Sequence, residues 1–380
     1  MSLLQCRATR WKGRSAFTLS NGTLEVTILL VGGHIADFRR ADSSINAVWE
    51  ASWDTIEPDQ FQNKEHAALY GEGAVGQFLS GFTGHALAIE YFGMPSPAEA
   101  GNCLPLHGEA SSSRWNVVSA DVNPAAAELV LSCDLPAYGM EFSRRLTLSA
   151  GAAAIRVSES VRNLTGQDTD FQWVQHLTMG EPFLASGEAV LSIPASRGKT
   201  WALGYEGKPA LIDNREFTWP MAPAIGSGTL DLSKPFAADH SGFVAALQLA
   251  NAQDSYLAAI NQRYGLIFGY AFERARFPWI ALWQENRARE YAPWNGAARA
   301  LGIEFGTSPM PLGLQQAKEA GPLFETPTFL RLGARSTITT SYEIFLEHVP
   351  ISARTITVID RHHPALRLTC DTGEVIEIVK

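Results

Sequence analysis

The sequence predicts an all-β protein, and three observations carry that prediction. Its 32 Gly and 20 Pro are spread along the whole chain, and the stretches between them are short and rich in Val, Ile, Leu, Thr and aromatic residues. Many short strands joined by frequent turns have this composition. Apolar positions recur at every second residue in several places, and no long segment has the 3.6-residue spacing of an amphipathic helix.

Leu129, Val130 and Leu131 before Cys133, the run 142–148 and the run 155–161 alternate or nearly alternate, with Ala150-Gly151 as a turn between the last two. Together they predict an antiparallel meander. Short helical turns are expected at 96–100 and 314–320, where Ala, Glu, Gln and Lys gather. The segments 336–346, 355–359 and 375–379 return to strand character. No repeat, low-complexity tract or Pro/Ser linker marks a boundary, so one domain spanning 1–380 is expected.

Composition excludes several classes of function. A net charge of −9 and a pI near 5.5 argue against a polyanionic partner, and no nucleic acid is expected. No stretch approaches the ~20 uninterrupted apolar residues of a membrane helix. The opening segment lacks the apolar core and cleavage site of a secretory signal, which gives a cytoplasmic expectation. Cys6, Cys103, Cys133 and Cys370 lie far apart and read as reduced thiols. There is no phosphate-binding glycine loop, zinc-protease helix or nucleophile elbow, and His362-His363 lacks partners at ligand spacing, so no metal is expected.

Four segments can carry chemistry. In 299–306, Leu301, Ile303 and Phe305 fall on one face of a strand and Ala300, Gly302, Glu304 and Gly306 on the other. A ligand can therefore approach the Glu304 carboxylate without obstruction, although an exposed Glu with glycines placed for a bulge fits the same pattern. The segment 172–183 reads as a strand ending at Gly180 with His176 near its end, where site residues are common. In Leu104-Pro105-Leu106-His107-Gly108-Glu109, His107 faces opposite Leu104 and Leu106 and precedes a glycine that permits close approach. Finally, Phe277, Trp279, Trp283, Tyr291 and Trp294 cluster among Arg274, Arg276, Gln284, Glu285 and Asn295. Flat rings beside polar groups suit sugars, whose C–H faces pack on aromatic planes while their hydroxyls need donors and acceptors.

The order of these segments, an LHG triplet, then a strand with an isolated His before a Gly/Pro/Phe stretch, then a late G-x-E strand, resembles the aldose 1-epimerase (galactose mutarotase-like) family. The resemblance runs from Gly32-Gly33-His34 to Leu346. It implies a β-supersandwich, no cofactor, and a mono- or oligosaccharide substrate handled by a monomer or homodimer. Glu304 then matches the general base, His176 the general acid and His107 a substrate-binding histidine. The chain departs from the family where an Asn-Arg pair is usual upstream of LHG. Here 73–79 has no arginine, so Gln77 and Arg274 or Arg276 are the candidates for its role, with Trp279, Trp283, Glu285 and Trp294 as further substrate contacts. The histidine strand also lacks the usual His-Pro-Tyr-Phe continuation.

Two other functions compete with an anomer-interconverting isomerase. One is a sugar-binding or sensing protein without turnover. The other is an epimerase for a phosphorylated or acidic sugar, with Arg274, Arg276 or Arg287 holding the anion.

Overall fold

The computed structural model describes residues 3–201, 208–226 and 228–380. Two large antiparallel sheets face each other across the main apolar core. The larger begins with the strands Gln5–Trp11, Arg14–Ser20, Leu24–Leu29, Ile35–Arg40 and His85–Glu90 in chain order. It continues through Thr169–Gly180, Arg299–Gly306, Trp279–Asn286, Ser241–Leu249, Ala195–Thr200 and Glu216–Thr218. The second sheet runs Ala189–Ser192, Asp254–Asn261, Leu266–Glu273, Thr337–His348, Ala154–Asn163, Met140–Ser149, Ala126–Leu135 and Asn116–Val122.

Period-2 alternation fills the space between the sheets. Leu301, Ile303 and Phe305 point inward with Trp173, Leu177 and Phe171, and Phe305 stacks on Phe272 of the second sheet at 4.4 Å between ring centroids. The expected meander is present as Ala126–Leu135, Met140–Ser149 and Ala154–Asn163, paired in sequence. A third, three-stranded sheet (Ile356–Asp360, Leu366–Cys370, Val375–Ile378) covers the outer face of the second one, with Leu366 and Leu368 packed in a core with Ile260 and Ile267.

Helices form at Pro97–Gly101 and Leu314–Ala320, where helical turns were expected. The Gly73–Gly81 helix was not. In it Val75, Phe78, Leu79 and, just past its end, Phe82 lie at the i, i+3, i+4, i+7 spacing of one helical face, which they turn toward the outer surface of the large sheet. Residues 104–108 form no strand. His107 sits in a turn with φ of 68° and, contrary to the strand-based expectation, faces the same hollow as Leu106. The turn is tied back onto the sheet by Ile89 N–H to His107 O (3.2 Å) and His107 N–H to Gly93 O (3.0 Å). At Gly108 an added Cβ would lie 1.8 Å from the Ile89 carbonyl oxygen, so only glycine permits this approach.

Candidate functional site

The site is built on the outer face of the large sheet, where its three central strands meet. The histidine strand Thr169–Gly180 pairs with the glutamate strand Arg299–Gly306 in a register that matches Val174 with Gly306 and Thr178 with Gly302. His176 and Glu304 are therefore directly opposite, and their side chains project together from the same face. His176 Nε2 lies 3.3 Å from Glu304 Oε1. No register shift interrupts the pairing on either side of the glutamate strand, and Glu304 is only 2% exposed, which removes the reading of an exposed Glu at a bulge.

Small residues surround this pair. Ala86 pairs with His176 on one side, and Ala281 pairs with Glu304 on the other. The Glu304 carboxylate leans over Gly302, where an added Cβ would come 2.3 Å from Oε1. Above this floor is a cavity of about 470 Å³, in the range of sites for small organic ligands. Phe78 and Leu79 of the Gly73–Gly81 helix, with Phe82 just past its end, form one wall. Trp283, Trp294 and Tyr291 form another, and Phe92 and Met94 close the side near His107. The His107 ring stands edge-on to His176 at 4.8 Å between centroids. Its Nδ1 accepts the Gly93 N–H at 3.1 Å, which places its own proton on Nε2.

Arg289 reaches the cavity from the segment that joins the Trp279–Asn286 strand to the glutamate strand. Glu285 shapes that segment by accepting the N–H groups of Ala288 (2.6 Å) and Arg289 (3.0 Å), and it pairs with the Arg289 guanidinium at 3.6 Å. The guanidinium also lies over the Trp294 ring, 5.0 Å from its centroid.

Burial sets the charge state of the floor. It raises the Glu304 carboxyl well above the usual carboxylate range and lowers His176 to about 4, the latter partly offset by its own backbone carbonyl. His107 is held well below the ordinary histidine value by burial and by nearby His176. Both shifts favour the neutral forms of Glu304 and His176. Among the described residues, no group of three or more His, Cys, Asp or Glu is arranged to hold a metal ion.

Of the residues singled out from the sequence, Glu304, His176, His107, Trp283 and Trp294 converge on this cavity. Four others do not line it. Gln77 lies on the far side of its helix, its amide 3.4 Å from the Pro58 carbonyl. Trp279 is fully buried with its indole N–H on the Pro327 carbonyl at 2.8 Å. Glu285 holds backbone, and Arg274 belongs to a turn whose N–H bonds Gln253 O. Nor does Arg276 or Arg287 reach the cavity, and Arg287 pairs with Asp239. Sequence reading missed the helix wall and Arg289. The i, i+3, i+4, i+7 spacing from Val75 to Phe82 was a usable signal for the first, but nothing local distinguishes Arg289 from its neighbouring arginines.

No protein-family model matches the chain, and no curated protein matches it by sequence. Solved structures do match. A proposed aldose 1-epimerase from Klebsiella pneumoniae superposes with a TM-score of 0.60 over 90% of this chain and 82% of that one, at 15% identity. A galactose mutarotase-like protein from Clostridium acetobutylicum gives 0.58 over 91% and 99%, at 14% identity. The chain has the galactose mutarotase-like fold. A galactose mutarotase related enzyme from Lactobacillus acidophilus also shares it, with a TM-score of 0.52 over 88% of this chain and 99% of that one, at 12% identity. At these identities the likeness extends to the galactose mutarotase-like architecture and not to the chemistry.

Proposed function

We propose that the protein is a sugar isomerase of the aldose 1-epimerase type, which interconverts anomers by opening and reclosing the ring. The observation that supports this reading is the His176–Glu304 pair at 3.3 Å on the floor of an aromatic cavity. Ring opening is served by an acid and a base on opposite sides of a sugar, about one ring apart, an arrangement the 3.3 Å contact of these two groups does not have. Their side-by-side placement suits the chemistry as well, because O1 and O5 of a pyranose are bonded to the same carbon and an adjacent acid and base reach both.

In this mechanism one group takes the proton of the C1 hydroxyl. The O1 electron pair forms the carbonyl as the C1–O5 bond breaks, and the other group gives its proton to O5. Rotation about C1–C2 and the reverse transfers close the ring with either configuration. The pair needs only one proton. Burial favours its placement on Glu304, so the roles of Glu304 as base and His176 as acid require that proton to cross the 3.3 Å contact to His176 before ring opening. Positioned acid and base groups of this kind each contribute about 10²–10⁴-fold. His107, with its proton on Nε2, is a donor for a neighbouring hydroxyl, and Trp283 and Trp294 offer planes for the C–H face.

The test is anomer exchange, measured by saturation-transfer NMR across a panel of aldoses with wild-type protein and Glu304→Gln. Exchange faster than buffer, and lost in the variant, is the expected result. Sugar binding without exchange would point to the non-catalytic sensor.

A further inference from the structure

Met94 and Pro311 line the cavity over His176 and Glu304, and they also line a second hollow of about 380 Å³ between the Pro97–Gly101 and Leu314–Ala320 helices. The two hollows are compartments of one cleft, divided by a half-exposed methionine side chain and a proline ring. The backbone that holds this partition also positions His107. Gly93 O accepts the His107 N–H (3.0 Å), Gly93 N–H donates to His107 Nδ1 (3.1 Å), and an added Cβ at Gly93 would lie 2.0 Å from the Pro311 carbonyl oxygen. Gly313 N–H bonds Phe92 O at 2.7 Å beside the same crossing. On the other bank Ser96 and Glu99 form a capping box at the start of the Pro97–Gly101 helix, and Glu99 also accepts the Tyr138 hydroxyl. The second hollow is therefore preformed, and its volume is in the range of small-ligand sites.

Its lining mixes apolar and polar groups. Pro95, Pro97 and Leu314 offer C–H surface, and Ser96, Gln315 and Gln316 bring hydroxyl and amide groups. Among the described residues that line it there is no Lys, Arg or His, and Glu319 adds a carboxylate, so the hollow suits a neutral hydroxylated ring and not a phosphate or a carboxylate. Ring opening limits how a longer sugar can lie in the cleft. The reacting ring needs a free C1 hydroxyl over His176 and Glu304, whereas a glycosidic bond at another of its hydroxyls leaves that chemistry untouched. We propose that the second hollow holds the next residue of a neutral oligosaccharide whose reducing-end ring occupies the cavity over the pair. This inference rests on the sugar-isomerase reading of the first compartment. Binding energy gained in the second compartment, away from the reacting carbon, raises kcat/KM for the longer substrate.

The experiment compares D-glucose with maltose, cellobiose and gentiobiose, and D-galactose with 1,4-linked galactobiose, so that each disaccharide has the same reducing-end ring as its monosaccharide. Binding is measured by titration calorimetry and exchange at the reducing end by saturation-transfer NMR. At least one disaccharide should bind and exchange about tenfold better than its monosaccharide. Gln316→Trp, at an exposed helix position where the larger side chain fills the second hollow, should bring that ratio to about one. Exchange of the monosaccharides as good as that of every disaccharide, or a disaccharide preference that Gln316→Trp does not change, would overturn the inference and leave the isomerase reading standing. Preferential disaccharide binding that Gln316→Trp removes, without exchange of any sugar, would do the reverse, and no binding in either series would overturn both.

Discussion

Gln175 and His176 are neighbours in the chain but project from opposite faces of one strand, and their surroundings differ accordingly. Gln175 faces the second sheet and enters a closed polar network. Its Nε2 donates to Glu159 at 2.6 Å, and its Oε1 lies 3.0 Å from His85 Nε2 and 3.2 Å from the Tyr342 hydroxyl. Glu159 is also bonded by Arg144 (2.7 Å) and Tyr342 (2.9 Å), and Arg144 donates to Gly33 O at 2.9 Å. His176 faces the cavity, with Glu304 at 3.3 Å and the His107 ring edge-on to its own. Among the described residues, no hydrogen bond joins either of these two to a third side chain.

Both groups are buried, so burial alone does not distinguish structure from function. Satisfaction does. A fully bonded buried ion pair pins two sheets together, and removing one member leaves an uncompensated charge. A buried acid and imidazole with spare hydrogen-bonding capacity are held uncharged and remain available to a ligand.

The contrast can be broken from either side. Glu304→Gln should lower anomer exchange by about 10²–10⁴-fold while the denaturation midpoint stays level or rises, because it replaces a poorly solvated acid with a neutral amide. Arg144→Met should do the opposite, costing about 3–5 kcal/mol in urea unfolding while the folded fraction keeps its exchange rate. If the Arg144 variant loses exchange and keeps its stability, the division between the two faces is mistaken.

Gly302→Ala tests the geometry in between. Its new Cβ would sit 2.3 Å from Glu304 Oε1, forcing the carboxylate aside. A displacement of about 1 Å can cost up to ~100-fold in rate, so exchange should fall by at least about tenfold, with the strand still formed.

The smallest effect is in the pH profile. Activity requires one proton on the pair. As pH falls through about 4 the second proton binds His176, and as pH rises past the elevated Glu304 value the shared proton is lost. The buffer-corrected kcat/KM should therefore be level through the mid-range, with its acid limb near pH 4. A limb near the unperturbed histidine value of about 6.5 would show that His176 titrates as a solvated imidazole.

Much of the architecture was legible in the chain itself. Alternation in 299–306 separated the core-facing Leu301, Ile303 and Phe305 from the Glu304 face, and the meander and late strands were readable because period-2 patterning belongs to neighbouring residues. The order of the LHG, His and G-x-E segments carried the resemblance to the mutarotase-like proteins. What the sequence did not reveal was which side chains meet. Gln77 and Phe78 are adjacent, yet helical geometry puts one toward Pro58 and the other into the cavity. Arg289 and Arg274 look alike in the chain, and the Glu285 turn brings only the first to the cavity. That His176 and Glu304 touch follows from two distant strands pairing in one register, which tertiary packing decides, because only that register buries both inward faces against the second sheet.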